Sequence, residues 1–239
     1  MKKILLSPLF ASIFVILCLA FYYGISYVYR LKIGIFDVEK SGATEILTYL
    51  FYGMAGGILL CVNNDYMHSP KQRTYFAFCF LWLAALLREM GIQHWLAIND
   101  TTAIKLNYFK NPDVPLYGKI ISACVIGVVL FTILYLLIKY IKTIIVGFFK
   151  YQTVPWTIVT FGMLGLLTQL ADRFPAKYHK ITGEYLTEPT RFILKIFEEG
   201  GESLLPLLFA IGLIQFHFIL RKTIYQNDDE SIDTAQDSV

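Results

Sequence analysis

Long unbroken apolar runs dominate this chain. Neither the every-other-residue alternation of a half-buried strand nor the narrow apolar stripe of a surface helix is prominent. Six runs approach the roughly 20 residues that a helix needs to cross a bilayer: residues 4–28, 44–63, 74–92, 119–140, 155–171 and 203–220. Hydrocarbon gives backbone N–H and C=O groups no partner, so such runs must be helices or strands of a closed barrel. A barrel would alternate lipid-facing and lumen-facing residues, and these runs do not. The pattern predicts an all-α, polytopic integral membrane helix bundle with about six transmembrane helices, occupying residues 1–222. The remainder, 223–239, reads "TIYQNDDESIDTAQDSV". It has too little apolar content to support a core and is expected to be a disordered acidic tail.

The segments between the runs refine this picture. "YIKTIIVGFFKYQTVPW" mixes lysines with aromatics and predicts a helix lying along the inner surface, and "PTRFILKIF" predicts another on the outer side. Gly53 and Gly57, and Gly162 and Gly165, are spaced to let a neighbouring helix approach closely, within one molecule rather than between two copies. Trp95 and Trp156 fit interfacial anchors. The start, "MKKILLSPLFASIFVILCLA", has the lysines of a signal peptide, but the apolar stretch is too long and lacks a small-x-small cleavage site. It reads as an uncleaved first span. Lys2, Lys3, Lys71, Arg73, Lys139, Lys142, Lys150, Arg221 and Lys222 lie close to helix ends on one side, which places both termini inside. Arg30 and Lys32 oppose that orientation.

Composition agrees and excludes several functions. Hydrophobic residues make up 56% of the chain and charged residues 16%, where a soluble domain carries about 25% charged residues. A net charge of +3 without a basic tract gives no basis for nucleic-acid binding. Cys18, Cys61, Cys79 and Cys124 all sit within or beside apolar runs and form no CxxC, so they predict small apolar fillers rather than disulfides or a thiolate metal site. No P-loop, GxGxxG or G-x-S-x-G is present. Asn99-Asp100-Thr101 matches a glycosylation acceptor, which matters only in a eukaryotic secretory setting. The short loops and the start of the chain fit a bacterial inner membrane.

The candidate chemistry lies where three spans meet the outer face. "LLREMGIQHW" (86–95) ends the third run, "QLADRFP" (169–175) the fifth, and "FEEGGESLLP" (197–206) opens the sixth. Charges at membrane depth cost about 2.5–3.5 kcal/mol each at a helix centre, so they should have partners. Arg88 with Asp172 and Glu89 with Arg173 would pair across helices. That leaves Glu198, Glu199 and Glu202, with Lys195 to relieve one of them. Gly200 and Gly201 among the glutamates predict the turn between a surface helix and the sixth span. A kink with Pro206 is the other reading.

Three chemistries fit this set. A metal-assisted hydrolase or transferase on a lipid-linked substrate would ligate a divalent metal through Glu89, His94, Asp172 and Glu202. There Glu198, with Glu199 beside it, would serve as general base, and Arg88 or Arg173 would hold a phosphate or carboxylate. A proton- or cation-coupled transporter would use the carboxylates as a relay; His217, deep in the sixth run, is expected to be a neutral residue bonded to a neighbouring helix. A non-catalytic subunit or scaffold of an envelope system would use the acidic face to bind a cation, a polar head group or a partner membrane protein. The residues favour the last as the primary expectation.

Overall fold

The computed structural model describes the backbone of residues 2–33, 42–67, 71–92 and 106–236, all of it helix and connecting turn. The described elements are α1 (Lys2–Leu5), α2 (Phe10–Ile33), α3 (Gly42–Met67), α4 (Gln72–Glu89), α5 (Leu106–Lys110), α6 (Leu116–Phe149), α7 (Thr153–Thr182) and α8 (Glu188–Gln236). This is an all-α polytopic membrane fold. Among the described residues, five helices are long and apolar enough to cross a bilayer, within Phe10–Val28, Glu45–Asn63, Leu116–Phe149, Thr153–Thr182 and Glu188–Ile219. The third expected span is α4. It has only 18 residues, with Arg73 near one end and Arg88 and Glu89 at the other. At 1.5 Å per residue it is about 27 Å long, just short of the hydrocarbon thickness.

Several boundaries differ from the pattern for physical reasons. The first run is interrupted after α1, because Pro8 cannot donate a backbone hydrogen bond, and α2 starts at Phe10. No separate surface helix follows the fourth run. Instead α6 continues to Phe149 and a tight corner reverses the chain into α7. Tyr151 takes φ 53° there. Trp156 donates from Nε1 to the carbonyl of Phe148 at 3.0 Å, and its ring stacks on Phe148 and Tyr151. Gly147 is required at this corner, because a Cβ would collide with Pro155 and Gln152.

The expected turn at Gly200–Gly201 is absent. The segment 189–197, the glycine pair and the sixth run form one continuous helix, α8, which extends through the acidic segment as far as Gln236. Among the described residues, a Cβ at Gly53, Gly57 or Gly162 would meet nothing within 4 Å, so no close helix approach is seen at these positions. All four cysteines are free; Cys18 and Cys79 are half-buried, and Cys61 and Cys124 are exposed on apolar helices. His94, Trp95 and the Asn99 tripeptide lie outside the described residues.

The chain forms two compact units, Met1–Ile58 with Thr143–Val239, and Leu59–Lys142. The first is built on α2, α7 and α8. Its core contains Ala11, Val15, Leu164, Leu204, Leu208 and Ile211, with Leu19, Phe51 and Phe197 packed around it. Polar contacts set the helix directions. Leu6 accepts from Thr153, and Ser12 bonds to Thr160 at 2.8 Å, so α2 and α7 run parallel. Gln215 donates to the Leu5 carbonyl at 2.9 Å, while Tyr22 sits against Gly200, so α8 runs antiparallel to both. In the second unit Tyr75 donates to the Leu59 carbonyl at 3.0 Å, and Thr74 bonds to Tyr140 at 2.8 Å. These tie α4 to the end of α3 and to α6.

Candidate acidic site

Residues of one end of the first unit compose the candidate site: the N-terminal part of α8, the C-terminal half of α7, the end of α2 and the start of α3. The approach of these helices depends on the glycine pair. A Cβ at Gly200 would lie 2.6 Å from Tyr22 Cδ1, and one at Gly201 would overlap the Thr168 methyl group. Gly200 therefore admits α2 and Gly201 admits α7. This is the small-residue packing that membrane helices use where there is no hydrophobic drive between them. Removing the side chains from 200 and 201 brings the flanking glutamates up against α2 and α7.

Lys195 organises two of the acids. Its ammonium lies 3.4 Å from Glu198 Oε1 and 3.1 Å from Glu199 Oε1, one helical turn on. All three side chains are partly buried, with exposures of 30%, 16% and 27% for Lys195, Glu198 and Glu199. Asp172 on α7 faces this trio closely enough to repel Glu198. Glu202, one turn below Glu198, accepts from Gln169 Nε2 at 3.4 Å. Asp172, Glu198 and Glu199 thus lie at one level of the unit, with Glu202 one turn further along α8 and Arg173 beside Asp172 in sequence on an exposed part of α7. Set against Lys195 and Arg173, these four carboxylates leave an excess of two negative charges.

Two prolines add backbone oxygen. Pro175 and Pro206 lie inside α7 and α8. Proline has no N–H, so it leaves the carbonyl four residues earlier outside the helical ladder. Those carbonyls belong to Ala171 and Glu202, at the level of the carboxylates. The helix remains continuous through Pro206.

Polar side chains that the pattern of runs did not single out line the interior. Thr48 bonds to Ser203 at 2.8 Å, and Ser203 also donates to the Glu199 carbonyl at 2.9 Å. Thr168 is buried and donates to the Gly165 carbonyl at 3.0 Å. At the opposite end, the fully buried Gln215 accepts from Thr157 at 2.6 Å. Thr153, Thr157, Thr160 and Thr168 recur at intervals of three, four and eight residues in an otherwise apolar run. That spacing on one face of a helix was the available signal.

Arg88 is exposed and Glu89 half-buried at the end of α4, in the second unit. Gly91 ends this helix: it takes φ 73° and returns its N–H to the Arg88 carbonyl at 3.0 Å. This is the left-handed cap that glycine provides, and it accounts for the polar turn in "LLREMGIQHW". The expected pairs of Arg88 with Asp172 and Glu89 with Arg173 would span the two units. His217 is half-buried on α8 beside Phe218. Among the described residues, no three or more His, Cys, Asp or Glu side chains are grouped so as to hold a metal ion. No family model, curated protein or solved structure matches the chain.

Proposed function

We propose that this multi-pass helical membrane protein is a non-catalytic envelope subunit whose acidic end binds a cation or a cationic head group at the outer membrane face. The carrying observation is the imbalance at the bundle end. Lys195 is shared by Glu198 and Glu199, while Asp172 lies on the facing α7 and Glu202 one turn further along α8. Packed carboxylates in a medium of reduced dielectric repel strongly, and a bound cation relieves that repulsion. Carboxylate and carbonyl oxygen together suit a hard, hydrated ion such as magnesium or calcium, or an ammonium head group.

The outward placement of this end follows from chain direction. With the N-terminus inside, α2 runs outward. Parallel packing makes α7 run outward as well, so α8 begins outside and returns inward. Between α2 and α7 the chain starts outside and must end inside, so it crosses an odd number of times. With α3 inward and α6 inward, α4 must run outward. This supports six crossings with both termini inside, α4 crossing by snorkelling of Arg73, Arg88 and Glu89 at its ends.

Purified protein in zwitterionic lipid nanodiscs should be stabilised by magnesium or calcium, by about 1.4 kcal/mol at a concentration tenfold above Kd. In the Asp172→Asn/Glu202→Gln variant that increment should vanish while the helix content stays unchanged. An equal rise in melting temperature for both proteins would refute cation binding at this site.

A further inference from the structure

The second unit carries a different feature, a basic cluster where α4 begins and α6 approaches its end. Lys139 donates from its ammonium to Thr74 Oγ1 at 2.9 Å and to Tyr135 Oη at 3.1 Å. The same ammonium stands 5.4 Å from the ring centroids of Tyr135 and Tyr140. Tyr140 in turn bonds to Thr74 at 2.8 Å, which fixes this level of α6 against the first turn of α4. Lys71 and Arg73 flank Thr74 in sequence, and Lys142 lies one turn beyond Lys139. Four cations are therefore brought to one junction. The first turn of α4 contains no acidic residue, and among the described residues no carboxylate pairs with Arg73, Lys139 or Lys142. The hydroxyls around Lys139 supply dipoles, not counter-charge.

The neighbouring surface is apolar. On α6, Phe131, Leu134 and Ile138 follow at intervals of three and four residues, with exposures of 73%, 53% and 76%. They form a stripe that ends beside the Lys139–Lys142 turn. A hydrocarbon chain lying on this stripe would bring its polar end to the cations. A free anion would gain nothing from the stripe.

We propose that the junction of α4 and α6 is a binding site for the phosphate of an anionic phospholipid, with Arg73, Lys139 and Lys142 contacting the head group and Phe131, Leu134 and Ile138 carrying an acyl chain. Lys139 is held in place by Thr74 and Tyr135, so part of the ordering cost is met before the lipid arrives. Lys71 supports the same site: burial pushes its ammonium below the ordinary lysine range, and a phosphate beside it would favour the charged form. Tyr135 and Tyr140 suit the interface, where an aromatic ring meets the head-group layer.

The test uses the full-length protein in detergent and native mass spectrometry with phosphatidylglycerol, phosphatidylcholine of matched chains, and inorganic phosphate. Arg73→Gln/Lys142→Gln removes two cations and leaves the Lys139–Thr74–Tyr140 contacts intact. Each cation near a lipid phosphate contributes about fivefold in affinity. The parent should prefer phosphatidylglycerol to phosphatidylcholine, and the variant should lose roughly 25-fold of that preference. Leu134→Ser/Ile138→Ser should weaken phosphatidylglycerol binding and leave phosphate binding unaltered. Equal retention of both lipids by the parent, or an undiminished preference in the arginine–lysine variant, would overturn the proposal. So would stabilisation by inorganic phosphate equal to that by phosphatidylglycerol, which would assign the junction to a free anion.

Discussion

Gly201→Leu is expected to dismantle the packing of α8 on α7 and to be the most damaging single change in the first unit. Even a Cβ at this position overlaps the Thr168 methyl group and comes within 3.4 Å of Leu164 Cδ1. Thr168 is held by its hydrogen bond to the Gly165 carbonyl and is almost fully buried, so it has little room to give way. Overpacking of a filled core costs about 3 kcal/mol at the upper end of its usual range. In a membrane the penalty appears as separation of helices, because each helix remains satisfied in lipid by its own backbone bonds. Thermal unfolding in detergent should show a large fall in melting temperature and loss of cooperativity with nearly unchanged helical circular dichroism. Gly201→Ala should show the same change in smaller degree. Gly53→Leu is the control: that position opens onto empty space, and its melting temperature should stay close to the parent's.

Leu208→Ala tests the opposite defect. Leu208 is buried to 1% exposure among Ala11, Val15, Leu164, Leu204 and Ile211. Truncation removes its dispersion contacts, and the rigid helix backbones around it can close the space only in part. Large-to-small changes in soluble cores cost about 2–5 kcal/mol. Here the lower end, about 2 kcal/mol, is expected, because the transfer from water that contributes to the soluble value is missing between helices in lipid. The expected result is a lowered melting temperature with cation binding retained, since Leu208 lies below the Glu202 level. The two variants therefore separate bundle stability from the acidic end. Both should lose stability, but only Gly201→Leu acts at the level of the glutamates.

These contrasts show what the residue pattern carried and what it could not. Runs such as 119–140 declare their solvent directly, because transfer free energy depends on composition summed over a window. The acids in "FEEGGES" and "LADRF" were visible as costly charges, and α7 and α8 do bring Asp172 close to Glu198. The glycine pair was misread because an absent side chain serves equally to loosen a turn or to admit a neighbouring helix. Only Tyr22 and Thr168, distant in sequence, decide between them. The adjacency of α2 and α7 was hidden for a related reason. Helices apolar on every face carry no stripe that points to a partner, and the contacts that reveal it are single hydroxyls, Ser12 and Thr160. Arg88 and Glu89 stand at a helix end that Gly91 caps, a local role that the run of polar residues did not distinguish from a site.

The parallel course of α2 and α7, with α8 returning between them, underlies the six-crossing reading and the outward acidic end alike. Disulfide trapping in native membranes tests it most directly. Ser12→Cys/Thr160→Cys and Thr48→Cys/Ser203→Cys replace hydroxyl pairs that stand 2.8 Å apart, so mild oxidation should link both pairs rapidly. Ser12→Cys/Ser203→Cys, which pairs positions offset by about 9 Å along α8 at 1.5 Å per residue, should stay reduced. If the control links and the two close pairs do not, α2 does not run alongside α7 as described. The crossing count and the outward position of Asp172, Glu198, Glu199 and Glu202 would then fall with it.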